Sequence, residues 1–358
     1  MSSKKIETQF EIIRTFVAIM IAMCLALLII LGVSNQPLEA LTRFLTGPFS
    51  SVRRFGNMIE MAIPFVFSGL AVCVMFQAKQ FNMIGEGAFY IGGVAASFIA
   101  VKFVLPAGIH PILAIFFGGL VGALVALIPG ILKVKWNANE LVSSLMLNYM
   151  CLYLGLYVVK SLIRDPNAGM IGSYIFNESA MLNKIVPGTR IHSGLLIAIL
   201  FIILTYLFMY KSKWGYALRM TGLNESFARY SGINTKKVIV YSQVIGGLIA
   251  GMGGATEILG MYQRFQWQAL PGYGFDGIII AILARNNPIF VPIAALFLSY
   301  LRVGADIMAR MTDVPSEVIS IIQAIIIMLI AAKRFLAKWK HKKIIEDSQR
   351  KLAIKEGK

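Results

Sequence analysis

Apolar runs long enough to cross a bilayer recur along the whole chain, and they decide most of what it can fold into. The hydrocarbon core of a membrane takes roughly 20 mostly apolar residues per helix. Such runs cover residues 15–34, 59–77, 86–104, 112–132, 139–159, 193–210, 238–256, 270–284, 289–305 and 317–333. The expected fold is therefore all-α: a polytopic integral membrane protein of about ten transmembrane helices. The runs near 276–284 and 289–301 are short and separated by Arg285. They read either as two short helices or as one long kinked helix in a nine-span chain. The first run is too long for a signal-peptide core and is expected to be a retained span.

Composition agrees with this and removes other classes. Of the 358 residues, 58% are hydrophobic and only 14% charged, against about 25% charged in an ordinary soluble domain. Mean hydropathy is +0.73. A disordered chain, a secreted disulfide scaffold and a cytosolic enzyme are excluded on these grounds. Cys24, Cys73 and Cys151 all lie within apolar runs, without metal-type spacing. His110, His192 and His341 are scattered, so no zinc site is expected and no metal is assigned.

The 34 Lys and Arg against 17 Asp and Glu leave a net charge of +17. The basic residues fall between apolar runs and in the C-terminal tail, a pattern that indicates topology and membrane lipid, not nucleic acid. With the N-terminus in the cytoplasm and ten spans, most of them lie inside, so the chain is expected N-in and C-in. A nine-span count would put the tail and the 211–237 loop on opposite faces. The expected organisation is a cytoplasmic N-terminal segment at 1–14, a membrane domain at 15–333 and a basic cytoplasmic tail at 334–358. Within the domain, 160–192 is an external loop and 211–237 a cytoplasmic one.

No nucleophile, His/Asp cluster or metal motif supports catalysis, so no catalytic residue is assigned. The G-x-G-x-x-G match at 272–277 lacks the strand and βαβ context of a dinucleotide site. No G-x-x-x-x-G-K-[ST] phosphate cradle occurs. If transport uses ATP, another subunit must hydrolyse it. Glycines at 245–255, 92–93 and 118–119 read as surfaces for close helix packing.

Ionisable residues in or at the ends of spans carry more information, because a buried charge is expensive in a membrane. Glu86, Glu140, Glu257 and Asp276 are the candidates. Asn139 and Glu140 read as a capped helix start. Glu86 and Asp276 each begin a span after a glycine-rich break, the kind of interrupted backbone that lines transporter cavities. FNMIGEG at 81–87 and YGFDG at 273–277 echo one another, which is compatible with two related halves. Tyr90, Trp136, Trp267 and Tyr273 offer faces for a planar ligand or plain interfacial anchors. Asn148 within a span bonds either a polar solute or a neighbouring helix. In the 211–237 loop, Asn224 is placed to cap a short helix from Glu225 to about Ser231, with Gly232 ending it. Such a helix suits docking of a cytoplasmic partner or lying on lipid.

Four blocks together carry a resemblance. They are FNMIGEG at 81–87, NELVSSLMLNY at 139–149, GLNESFARYSGI at 222–233 and GYGFDGIIIAILARNNP at 272–288. Over roughly residues 60–330 the chain resembles bacterial ABC-importer permeases of the ribose and branched-chain amino acid permease family. It looks closest to the nucleoside-uptake branch, which works with a basic-membrane-protein-type lipoprotein receptor. The resemblance implies a non-catalytic, multi-pass subunit of the bacterial plasma membrane. It also implies pairing with a second permease subunit, as homo- or heterodimer, and a cytoplasmic ABC ATPase that alone binds ATP and Mg. The coupling loop it implies includes Gly222, Asn224, Glu225, Phe227, Arg229 and Gly232. Phe227 and Tyr230 depart from the alanine-rich loop of some relatives, and Ala88 stands where relatives often carry Gln.

The expected function is passage of nucleosides by alternating access. Asn82, Glu86, Tyr90, Asn148, Phe275 and Asp276 are the candidates to line the path. Uncharged amides and aromatic rings suit a planar base and a hydroxylated sugar. Two alternatives stand beside it: a ribose-type sugar permease, and an ion-gradient-driven carrier using Glu86, Glu257 or Asp276.

Overall fold

Ser and Asn side chains start many of the helices. Their oxygens accept the backbone N–H groups that a helix N-terminus leaves unpaired. In the computed structural model the described residues are 27–315, with Ile21, Cys24, Leu25, Ile321, Ala324, Ile325 and Met328. The expected segments 1–14 and 334–358 lie outside them, as do most of the first and last spans.

The described residues fall into two compact units. In residues 49–300 the helices are α2 (Val52–Gln77), α3 (Gly85–Lys102), α4 (Ile109–Trp136) and α5 (Glu140–Val158, continued by a wider turn over Val159–Ile163). They are followed by α6 (Gly194–Lys211), α7 (Lys213–Leu223), α8 (Glu225–Tyr230), α9 (Thr235–Met261) and α10 (Tyr273–Leu283). Among the described residues there are no strands, only isolated bridges such as Arg164 with Ser173. The smaller unit holds helical residues 27–33, α1 (Pro37–Thr46) and the end of α11 (Val291–Met311). There the Ser34 hydroxyl and the Asn35 N–H donate to the Asp313 carboxylate at 2.6 and 2.7 Å, which holds that carboxyl below its usual range.

Among the described residues six helices are long and apolar enough to cross a membrane: Val52–Gln77, Ile109–Trp136, Glu140–Ile163, Gly194–Lys211, Thr235–Met261 and Val291–Met311. Residues 270–305 form two helices and not one kinked helix. The chain turns between them at Arg285 and Asn286, both with positive φ.

Helix α9 is central, packed against α4, α3 and α2. Its glycines let backbone meet backbone. A Cβ at Gly92 of α3 would overlap the backbone of Gly251, and one at Gly122 of α4 would meet the Gly247 carbonyl. The glycine runs thus serve close packing. Loops gather at the two ends of this unit. At one end the 164–193 segment binds the ends of α3 and α9: the Asn177 amide donates to the Ala100 and Phe103 carbonyls, and the Leu182 N–H to the Leu259 carbonyl. At the other, the Lys79 ammonium donates to the Leu223 carbonyl at 3.1 Å.

Candidate functional site

The segment that enters α3 is an extended break held by α5. The Met83 N–H donates to the Ser144 hydroxyl at 3.0 Å, and the Asn148 amide donates to the Met83 carbonyl at 3.0 Å. The same Asn148 side chain accepts the Gly87 N–H at 2.9 Å. The Asn82 oxygen accepts the Ile84 N–H at 2.8 Å. Asn82 and Asn148 are buried, with these groups turned to backbone.

This clamp presents Glu86 to the start of α10. Its carboxylate accepts the N–H groups of Gly272 at 2.6 Å, Gly274 at 2.6 Å and Phe275 at 3.3 Å. A helix N-terminus attracts an anion because its first N–H groups have no partner within the helix and its dipole is positive there. Glu86 supplies that anion from 186 residues away. Gly272 adopts φ +87°, and Gly274 lies against the Glu86 backbone where no side chain would fit. Asp276 is buried one turn into α10. Gly277 lies directly on Ser68 of α2. The two echoing segments, 81–87 and 273–277, are therefore in contact.

Above the clamp the chain over 262–272 packs as an aromatic layer. The Tyr90 hydroxyl donates to the Trp267 carbonyl at 3.3 Å, and Tyr90 meets Phe265 edge to face at 5.7 Å. Phe89 stacks on Trp267 at 5.9 Å. Tyr90 is fully buried, whereas Phe275 is 38% exposed. Of the six residues expected to line a path, the structure brings Asn82, Glu86, Asn148, Phe275 and Asp276 around one helix break. It sets Tyr90 in the packing behind them.

A second buried polar cluster has no counterpart in the sequence reading beyond Glu257. One ring nitrogen of His192 and one carboxylate oxygen each of Glu60 and Glu257 lie within 4.8 Å of one another. The Tyr273 hydroxyl donates to Glu257 at 3.2 Å, and His192 Nδ1 accepts the Gly194 N–H at 3.2 Å. That bond places the proton of the neutral ring on Nε2, a donor and not a metal ligand. Burial lowers the His192 pKa to about 4, so the ring stays neutral. No local pattern announces the cluster, because its members come from three distant parts of the chain.

The 211–237 loop is two helices rather than one. Ser212 caps α7, accepting the Gly215 N–H at 3.0 Å, and Asn224 caps α8, accepting the Phe227 N–H at 3.0 Å. Gly232 follows α8 at φ +81°. Gly222 is buried with its backbone against the Gln77 carbonyl, so it seats the loop on the end of α2. What α8 shows to solvent is Phe227, Tyr230 at 92% exposure, and the Glu225–Arg229 ion pair at 2.9 Å.

A family model described as the permease component of a branched-chain amino acid transport system matches residues 55–331. The chain belongs to that family. This permease is the membrane component of an ABC transporter and a multi-pass membrane protein. It is 33% identical over 319 residues to a guanosine ABC transporter permease protein of Bacillus subtilis, covering 88% of this chain and 92% of that one. It is 30% identical over 321 residues to a glucose ABC transporter permease protein of Haloferax volcanii, covering 87% and 84%. It is 26% identical over 333 residues to a nucleoside ABC transporter permease protein of Lactococcus lactis subsp. cremoris, covering 90% and 91%. Membership in an ABC permease family decides against the ion-gradient carrier.

Proposed function

We propose that this permease forms, with a second permease subunit, the nucleoside path of an ATP-driven importer. The similarity to guanosine and nucleoside permeases over nearly the whole chain carries this reading. A lipoprotein receptor delivers the solute, and a cytoplasmic ATPase binds ATP and Mg. The chain is oriented N-in and C-in, with 211–237 as the ATPase side.

Mechanism follows from which elements touch. The α7–α8 loop rests on the end of α2 through Gly222 on Gln77 and Lys79 on Leu223. Helix α2 in turn carries α10 through Ser68 on Gly277, and α10 is tied to α3 by Glu86. An ATPase that moves α8 when it closes on ATP would displace α2 and α10 together. Rigid helices pass such a displacement on, and packed contacts between them switch between discrete arrangements. The broken backbone at 82–87 and 262–272 is where these helices shift as the path opens to one side at a time. Asn82, Asn148 and Tyr90 hold that geometry, while Phe275 faces the solute.

The similarity to a glucose permease at 30% identity favours a second reading, a neutral sugar. Uptake of labelled guanosine and labelled glucose by cells with and without this gene separates the two. Gene-dependent guanosine uptake supports the nucleoside reading, and gene-dependent glucose uptake alone replaces it.

A further inference from the structure

Helix α5 has two opposite faces. One is buried and carries Ser144, Asn148 and Cys151, the side that clamps the break before α3. The other carries Tyr149, Tyr153 and Tyr157 at successive four-residue steps, exposed by 59%, 68% and 66%. Four residues of helix advance about 6 Å, so the three rings form a column with rungs about that far apart. Tyr149 and Tyr153 fall at the middle of the 24-residue run Glu140–Ile163.

A lipid-facing column of this kind is chemically wrong. Tyrosine belongs at the membrane interface, where its hydroxyl reaches water. At mid-span a hydroxyl left in hydrocarbon without a partner costs free energy. Among the described residues nothing hydrogen-bonds any of these three hydroxyls. Other outward faces of the same unit differ. The exposed large side chains of α6 are Leu196, Ile199, Leu200, Ile203, Leu204 and Leu207, all aliphatic. Among large hydrophobic side chains helix α6 exposes aliphatic ones alone, whereas α5 interleaves its three tyrosines with exposed Met146, Met150 and Leu154.

We infer that the Tyr149–Tyr153–Tyr157 face of α5 is a wall of the aqueous path, and that its rungs receive a planar, hydroxylated solute. The inference rests on the nucleoside-permease reading and supplies the recognition surface that reading lacks. Each ring offers a π face to a base and each hydroxyl both donates and accepts toward base or sugar. Successive equal rungs let a solute pass from one to the next without a deep binding site. The opposite face of α5 holds the break at 82–87, so motion of that break is coupled directly to the wall.

The test uses the assembled transporter in vesicles, carrying Cys24→Ser so that the remaining native thiols, Cys73 and Cys151, are buried. Tyr149→Cys and Tyr153→Cys are introduced singly, with Leu204→Cys on α6 as the lipid-facing control. A charged, membrane-impermeant thiol reagent is applied from both sides. Labelling of both α5 positions at least tenfold faster than Leu204→Cys, slowed by guanosine, supports the inference. Labelling no faster than Leu204→Cys overturns it, whether lipid or a dry subunit interface covers the face. Fast labelling that glucose slows and guanosine does not keeps the wall and removes the nucleoside reading. Uptake supplies a check independent of the thiols. Tyr153→Phe should slow guanosine uptake several-fold and Tyr153→Leu tenfold or more, with protein yield unchanged. Equal, wild-type uptake by both variants contradicts a role for hydroxyl and ring in the path.

Discussion

The Glu86 carboxylate accepts the N–H of Gly274, 188 residues further along the chain, at 2.6 Å and so caps the helix that Gly274 helps to start. With its bonds to Gly272 and Phe275 it fastens α10 to α3 at the break in both. An amide at this position keeps one acceptor oxygen and loses the charge. Hydrogen bonds to a charged group contribute about 1.5–3 kcal/mol each. Glu86→Gln should therefore still insert in the membrane but transport at least tenfold more slowly and unfold at lower temperature. Uptake in vesicles together with a thermal unfolding scan in detergent checks both. Wild-type values for both would mean that the clamp is dispensable.

Asn148 spends its amide on the backbone of residues 83 and 87. Replacement by Leu leaves the Gly87 N–H and the Met83 carbonyl without these partners in a buried place, at about 1–3 kcal/mol per group. Asn148→Leu should lower thermal stability and slow uptake while the receptor binds its nucleoside unchanged. Preserved stability with lost uptake would show instead that Asn148 touches the solute.

On the coupling loop, Phe227 and Tyr230 are exposed, whereas Gly222 is buried against α2. The two kinds of residue should separate in experiment. Phe227→Ala with Tyr230→Ala should weaken ATPase co-purification and leave the unfolding temperature of the permease unchanged. Gly222→Leu should lower both, since a side chain there meets the Gln77 carbonyl. Full ATPase recovery with the double variant would move the docking site away from α8.

Neutral His192 predicts a pH dependence of stability. Its pKa falls from about 6.5 in the unfolded chain to about 4 when buried. Below pH 6.5 the unfolded chain binds a proton that the folded protein does not. Stability is thus lost as pH falls from 6.5 toward 4, by on the order of 3 kcal/mol at the lower end. The difference in unfolding temperature between wild type and His192→Gln should shrink steadily over that window. A constant difference would mean that burial leaves the pKa of the ring unchanged.

Local signals in the sequence point to local structure. Asn139 and Asn224 precede helices that they cap, and the glycines at 245–255 lie where helices touch. The break before α3 is visible in the Gly85 and Gly87 that flank Glu86. What holds it is not, since Ser144 and Asn148 look like ordinary polar residues of a span until α5 folds beside it. Nor does anything near Glu60 or His192 reveal that both meet Glu257, because pairing across distant helices leaves no periodicity. Helix α7 was hidden because its loop is polar and basic, and only the seat on Gln77 makes it a packed element. Tyr149, Tyr153 and Tyr157 are spaced for one helix face, yet which face is outward depends on where Asn148 points.

The central claim is that this chain is the membrane path of an ATP-driven nucleoside importer. Its most direct test is accumulation of labelled guanosine by vesicles holding the purified permease with its ATPase and receptor. The account predicts accumulation that requires ATP and Mg and is unchanged by an imposed proton gradient. Accumulation driven by a proton gradient without ATP would contradict it.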